Sequence, residues 1–325
     1  MTSSPAPAHS ILMSSLLACL DGLLASDAVP EGLMRGEIGW LGDGISDPQR
    51  QSTGGRGAQS RHEALGLARA ADGLLTALED IGEIPADAAL QLRRALDDAV
   101  DRIGAVVRQA QASRIRGLYV IIDPEVTGGR DPFDIARAAI NGGARMLQLR
   151  DKLRDKGEQL PLGTALRDLC AANDALLIIN DHADLAAALG PEHVGLHVGQ
   201  TDLPVAEARK VLAPGQVLGR SNREIELIVE SQQMGADHVA FGAMYTTTTK
   251  EVTRAPQGPE RLKQARAAAR VPLVAIGGIT AENVAPVVEA GADAICVTAA
   301  VGSAPNPEAA AAELTEAIRS AGGRV

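Results

Sequence analysis

Residues 272–297 read PLVAIGGITAENVAPVVEAGADAICV, and this stretch decides the fold. Pro272–Ile276 and Ala294–Val297 are short, continuously apolar runs, the pattern of strands buried on both faces. Between them, Glu282–Glu289 carries apolar residues at helical spacing. Two strands joined by such a crossover must run parallel, and the crossover is right-handed.

Working outward, the same unit recurs. Further candidate strands are Gly117–Ile122, Arg145–Leu149, Leu176–Ile179, Val194–Val198, Gln216–Leu218 and His238–Phe241. Candidate helices between and after them include Pro132–Ile140, Gly157–Ala172, Val205–Leu212, Glu224–Met234, Pro259–Ala269 and Glu308–Arg319. Eight strand and helix pairs over residues 115–325 predict a (β/α)8 TIM barrel of class α/β. A doubly wound open sheet would show a glycine fingerprint after its first strand, and Asp123–Thr127 has none.

Residues 1–114 read differently, with ten arginines, fifteen acidic residues and no lysine. Three sets of apolar residues recur at helical spacing: Ile11 to Leu24, Leu67 to Leu78 and Leu92 to Val107. Gly82 and Pro85 mark a stop and a restart, which predicts an antiparallel helical hairpin. Residues 43–60 are polar and glycine-rich, the composition of a flexible loop. The region holds no cluster of chemically capable residues, so 1–114 is read as a helical extension of unassigned role.

Composition narrows the function classes. Of 325 residues, 46% are hydrophobic and 22% charged, and only five are aromatic, so the core is aliphatic and stacking platforms for nucleic acid are not expected. A net charge of −10 gives no general attraction for nucleic acid or anionic lipid, so an anionic ligand must be held locally. Cys19, Cys170 and Cys296 form no paired motif and read as free thiols of a reducing compartment. No basic leader precedes Ile11–Leu24, and that run is too short for a bilayer span, so the expected location is cytoplasmic.

In a barrel of this kind the chemistry lies at the C-terminal ends of the strands. Strand two ends Gln148-Leu149-Arg150-Asp151-Lys152, and alternation puts Gln148 and Arg150 on the inward face. Strands three and four deliver Asp181 and Asp202, an oxygen donor pair suited to Mg2+; for either alone a helix cap is the competing reading, Asp202 standing just ahead of Pro204. His197 reads as a hydrogen-bonded core histidine. After strand six, Thr246-Thr247-Thr248-Thr249-Lys250 offers hydroxyl donors and a cation for phosphate. Gly277-Gly278 after strand seven and Thr298-Ala299-Ala300 after strand eight complete an anion cup. One anion cup facing a metal with Arg150, Lys152 and Lys250 implies two phosphorylated small-molecule substrates and stabilisation of a departing pyrophosphate.

From about Arg116 to Ser320 the chain resembles the thiamine phosphate synthase family, through GLYVIIDP, QLRDK, INDHADLA, VGLHVGQTDL, LGRSN, FGAMYTTTTK, VAIGGIT and GADAICVTAA. The resemblance implies a transferase that joins 4-amino-5-hydroxymethyl-2-methylpyrimidine diphosphate to hydroxyethylthiazole phosphate and releases pyrophosphate. It implies that Gln148 and Asn180 contact the pyrimidine, and that Arg150, Lys152, Ser221 and Lys250 hold its diphosphate. Asp181 and Asp202 would hold Mg2+, while Thr247, Thr249, Gly278 and the backbone at Thr298 and Ala299 would bind the thiazole phosphate. Arg150, Lys152 and Lys250 are the expected catalytic cations.

Four positions depart from the family pattern: Asn222 stands where His is frequent, Ala299 where Ser is common, His182 for Arg and Thr246 for Pro. A related thiazole tautomerase would use that His as acid or base, which Asn222 cannot replace. A barrel that only senses phosphorylated ligands, fused to a helical interaction module, is the non-enzymatic alternative. A homo-oligomer formed through the Leu-rich helix from Ile11 is compatible with the sequence.

Overall fold

The computed structural model describes residues 8–24, 61–246 and 255–325. The expected loop at 43–60 lies outside these residues, as do Thr247, Thr249 and Lys250. The chain divides into two compact units, Met1–Val107 and Arg108–Val325, seven residues earlier than the boundary at 114/115 drawn from composition.

The first unit is helical: α1 (Ala8–Leu24), α2 (Arg61–Asp80) and most of α3 (Ala86–Ala112). Leu16, Leu20 and Leu23 of α1 pack in one core with Leu75, Leu78, Leu92, Leu96 and Ile103. The turn between α2 and α3 follows from local chemistry. Gly82 adopts a positive φ of 75°, Glu83 N–H donates to Leu78 O at 3.0 Å and Gly82 N–H to Glu79 O at 2.9 Å. This pair of bonds is a Schellman cap, which needs glycine at the left-handed position. Arg93 then donates to Glu79 Oε2 at 2.6 Å and to Thr76 Oγ1 at 2.9 Å, fixing the two helices as the antiparallel hairpin the sequence predicts.

The second unit is a closed barrel of eight parallel strands in chain order, with β1 paired to both β2 and β8. The strands are β1 (Gly117–Ile122), β2 (Met146–Leu149), β3 (Leu176–Asn180), β4 (Val194–Val198), β5 (Leu218–Asn222), β6 (His238–Gly242), β7 (Leu273–Ile276) and β8 (Ala294–Val297). The helices between them are α4 (Pro132–Asn141), α5 (Lys156–Ala172), α6 (Ala183–Leu189), α7 (Val205–Val211), α8 (Ile225–Gln233), α9 (Gly258–Ala268) and α10 (Ala285–Glu289). After β8 come α11 (Ala299–Gly302) and α12 (Pro307–Ser320).

Alternation sorts the residues. Leu118, Val120, Leu147, Leu149, Leu177, Ile179, Leu196, Phe241 and Val297 face the helices. Tyr119, Ile121, Met146, Leu176, Ile178, Val217, Ala240, Val274 and Cys296 fill the interior. Ala112 and Ile115 join that interior layer. Arg108 pairs with Asp237 Oδ1 at 3.4 Å, and Gln111 Nε2 donates to Pro191 O at 3.2 Å, so the last turn of α3 belongs to the barrel.

One strand is displaced from its expected position. The sequence pattern puts strand five at Gln216–Leu218, yet β5 begins at Leu218. Gln216 is buried but spends its amide on Ala186 O and Gly190 O, at 2.8 and 2.9 Å, as a loop anchor. The strand itself, LGRSN, has no long apolar run because its inward positions carry Gly219 and Ser221 toward the mouth. Two helices went unread, α6 and the four-residue α11.

The three cysteines are unbridged; Cys170 and Cys296 are buried and Cys19 half-buried. Burial pushes the Cys170 thiol up to about 12. Among the described residues no helix is long and apolar enough to cross a membrane.

Gly219 is the tightest point of the barrel wall, since a Cβ there would lie 2.0 Å from His238 Nε2 and 2.6 Å from His197 Nδ1. Neither ring has room to retreat, so Gly219→Ala should destabilise the barrel by roughly 2–3 kcal/mol. Thermal unfolding should show this as a loss of about 5–10 °C in Tm.

Candidate active site at the barrel mouth

The C-terminal ends of β1 to β5 bring the first group of residues together. Asp123, directly after β1, is buried and pairs with Arg150 Nη1, while Glu125 Oε2 lies 3.7 Å from the same nitrogen. Asp123 Oδ1 also accepts from Glu125 N at 3.1 Å, so the carboxylate is held from both sides. This holds the guanidinium, which is only partly exposed, at the rim beside β1. Sequence reasoning searched Asp123–Thr127 for glycines and passed over the acid; its place directly after a strand was the available signal.

The loop that follows β2 is built by Asp151, not by Arg150 or Lys152. Asp151 is buried and accepts from Leu153 N and Arg154 N at 2.9 and 3.1 Å. Gln159 of α5 ties the same loop by donating to Asp151 O and Arg154 O. Lys152 is left exposed beside the mouth.

Asp181 and Asp202 come together as expected from their strands. Burial holds the Asp181 carboxyl above the usual range; the Asp202 charge and a hydrogen bond between the two acids raise it further, against Lys152 and an Asn180 hydrogen bond. Gly199 N–H donates to Asp202 Oδ2 at 2.8 Å, so Asp202 closes its own loop and still reaches Asp181. The reading of Asp202 as a helix cap fails: the residue before α7 is Pro204, with no side-chain cap. Asp181 itself has φ 63°, a left-handed backbone that a non-glycine residue adopts at a cost. His182, next in sequence, caps nothing with its side chain.

The donor set here is oxygen alone. Among the described residues no group of three or more His, Cys, Asp or Glu side chains could hold a metal ion. An Asp181 carboxyl whose proton affinity is raised by burial and by the neighbouring Asp202 charge suits a hard cation that takes its remaining ligands from water and phosphate.

Deeper inside, Gln148 Nε2 donates to Tyr119 OH at 2.5 Å. His197 Nε2 lies 2.9 Å from Ser221 Oγ. Burial drives the His197 imidazole down to about 4, so it is neutral, in keeping with a core role. Asn222 points the other way: its Oδ1 accepts from Ser231 Oγ of α8 at 2.7 Å. A titratable group in that conformation would face the helix layer.

On the opposite rim the β6 and β7 loops lock together. Gly278, at φ 69°, has no space for a side chain, because a Cβ would meet Thr246 O at 2.5 Å and Tyr245 Cβ at 2.9 Å. Asn283 donates to Gly278 O at 3.0 Å, and Tyr245 OH donates to Asn283 O at 2.9 Å. The segment leading into Thr247–Lys250 is therefore seated against the glycine turn. Thr298 and Ala299 stand at the start of α11 beside it in sequence order around the barrel.

Comparisons with known proteins bear on the barrel as a whole. Residues 118–301 match the family described as Thiamine monophosphate synthase. A Thiamine-phosphate synthase of Chlorobium luteolum is 42% identical over 197 residues, covering 61% of this chain and 90% of that protein. Its counterpart from Moorella thermoacetica is 40% identical over 207 residues, covering 64% of this chain and 98% of that protein. The solved Thiamine phosphate pyrophosphorylase from Pyrococcus furiosus superposes with a TM-score of 0.59 at 30% identity, over 66% of this chain and all of that one.

The carboxylate pair makes a stability prediction. Because the folded state holds the Asp181 proton more tightly than the unfolded chain does, metal-free protein should lose stability as pH rises through the carboxylate range. Asp181→Asn should flatten that loss and raise Tm at pH 7 by about 2 °C. Calorimetry on chelator-treated protein at pH 4 and pH 7 checks it; an unchanged pH slope would contradict the pairing.

Proposed function

The chain belongs to the thiamine monophosphate synthase family, and on that premise we propose how its residues divide the work. It is a transferase of thiamine biosynthesis that forms thiamine phosphate. Its substrates are 4-amino-5-hydroxymethyl-2-methylpyrimidine diphosphate and hydroxyethylthiazole phosphate, and pyrophosphate is the second product.

The observation that carries this reading is the Asp181–Asp202 pair beside Lys152, with Arg150 held from the next strand by Asp123. Asp181 and Asp202 would hold Mg2+, which would supply charge neutralisation to the diphosphate. Arg150, Lys152 and Ser221 grip the diphosphate oxygens, and Lys250, outside the described residues, adds a further cation. Negative charge builds on the diphosphate as its bond to the pyrimidinylmethyl carbon stretches, and these fixed donors stabilise it as it builds. Gln148 and Asn180 orient the pyrimidine. The thiazole phosphate is anchored by Gly278, the backbone of Thr298 and Ala299, and Thr247 and Thr249, so that its ring nitrogen faces the carbon left behind. Bond breaking leads, so no strong general base is needed, which suits a site whose interior histidine is neutral.

Ala299 donates only through its backbone, one hydroxyl fewer than a serine would bring. The tautomerase reading loses its acid or base at Asn222, which is engaged with Ser231.

Two outcomes are expected. With both substrates and Mg2+, the protein should release pyrophosphate and thiamine phosphate in equal amounts, and EDTA should abolish turnover. Lys250→Ala and Arg150→Ala should each lower kcat by about 10²–10³, the loss typical of one preorganised charge donor. Isomerisation of a thiazole phosphate without coupling would overturn the reading.

The helices before Arg108 take no part in the chemistry. A truncated chain beginning at Arg108 should keep synthase kcat within about twofold of the parent, whereas one beginning at Ile115 should melt several degrees lower, having lost the Arg108 and Gln111 contacts. Equal melting temperatures would show those contacts to be dispensable.

A further inference from the structure

Inside the barrel a line of three polar side chains runs inward from Ser221. His197 on β4 places Nε2 2.9 Å from Ser221 Oγ on β5 and Nδ1 3.4 Å from His238 Nε2 on β6. The rings are 5.5 Å apart and tilted by 32°. His238 is fully buried, and its Nδ1 has no hydrogen-bond partner among the described residues. The missing side chain at Gly219 lets the two rings meet.

Both rings are buried in the barrel interior, an environment that favours the uncharged imidazole. A neutral imidazole has one N–H and one bare nitrogen, so the line has two proton orders. In the first, the His238 Nε2–H donates to His197 Nδ1, and the His197 Nε2–H donates to Ser221 Oγ. In the second, every donor is reversed, which leaves an N–H on His238 Nδ1 with no acceptor and uses the Ser221 hydrogen on His197. Both contain two hydrogen bonds. Orphaned buried N–H groups are rarer than orphaned acceptors, so the first order is favoured.

We propose that His238 is a positioning residue: it fixes the His197 proton on Nε2, so that Ser221 accepts from His197 and keeps its own hydroxyl hydrogen free for the diphosphate of the pyrimidine substrate. The last clause rests on the proposed role of Ser221; the order of the two histidines does not. The consequence is a serine preset as a donor before substrate arrives. An anion offered a serine already donating elsewhere would first have to reverse three groups in a closed interior.

The test has two arms. Long-range nitrogen NMR on the full chain at pH 7 reads which ring nitrogens carry protons. The expected pattern is bare Nδ1 and protonated Nε2 on both His197 and His238; a protonated Nδ1 on either ring overturns the proposal without reference to activity. In the kinetic arm, His238→Phe keeps a buried ring and removes the donor, while His238→Gln restores a donor nitrogen at a similar reach. His238→Phe should raise KM for the pyrimidine diphosphate about five- to tenfold with kcat within about twofold, and His238→Gln should recover most of it. Combined with Ser221→Ala, the Phe variant should add nothing further. Phe and Gln variants that behave alike would overturn the relay. Ser221→Ala with an unchanged KM would instead sink the diphosphate role of Ser221 and leave the histidine order standing.

Discussion

A parallel sheet that closes on itself has no free edge, so every strand must keep register with two neighbours at once. Here β1 meets β2 through Tyr119 and Met146 and meets β8 through Tyr119 and Cys296. Closure leaves no freedom to rotate a strand, and alternation then dictates which residues point inward. Gln148, Asn180, His197, Ser221 and His238 converge because each occupies an inward position, not because any attracts another. The apolar layer of Ile121, Met146, Leu176, Ile178 and Val274 fixes the floor on which they stand.

On that frame, local charge does what global charge cannot. The chain carries ten more acidic than basic groups, yet the reaction requires it to hold two anions. Asp123 is the instructive residue. As a buried carboxylate it costs desolvation, but it pins Arg150 at the rim of the barrel. The Asp181–Asp202 pair works in the opposite sense, storing repulsion that a cation relieves.

Much of this was legible because parallel barrels write their strands as short, largely apolar runs between helical stretches, and seven of eight strands can be placed that way. The exception, LGRSN, shows why the rest was not: its inward positions carry Gly219 and Ser221, so the strand lacks the apolar signal that marks the others. Inward positions of Gln148 and Arg150 followed from alternation alone. Asp123 escaped notice because an acid after a strand is common and its partner lies far along the chain. His238 escaped because nothing local distinguishes a buried histidine from a polar strand start. The unit boundary moved from 114 to 107 because composition changes where helix α3 ends, whereas packing changes where its side chains switch partners.

The buried cysteines have a use beyond packing. Only a thiolate reacts with disulfide reagents, and a thiol held near 12 is ionised in about one molecule in 10⁵ at neutral pH. Cys170 and Cys296 are therefore silent while the barrel is closed, whereas Cys19 stands half-buried in the helical unit. The barrel thus carries its own clocks: the pace at which Cys170 and Cys296 are captured reports how often the fold around them opens.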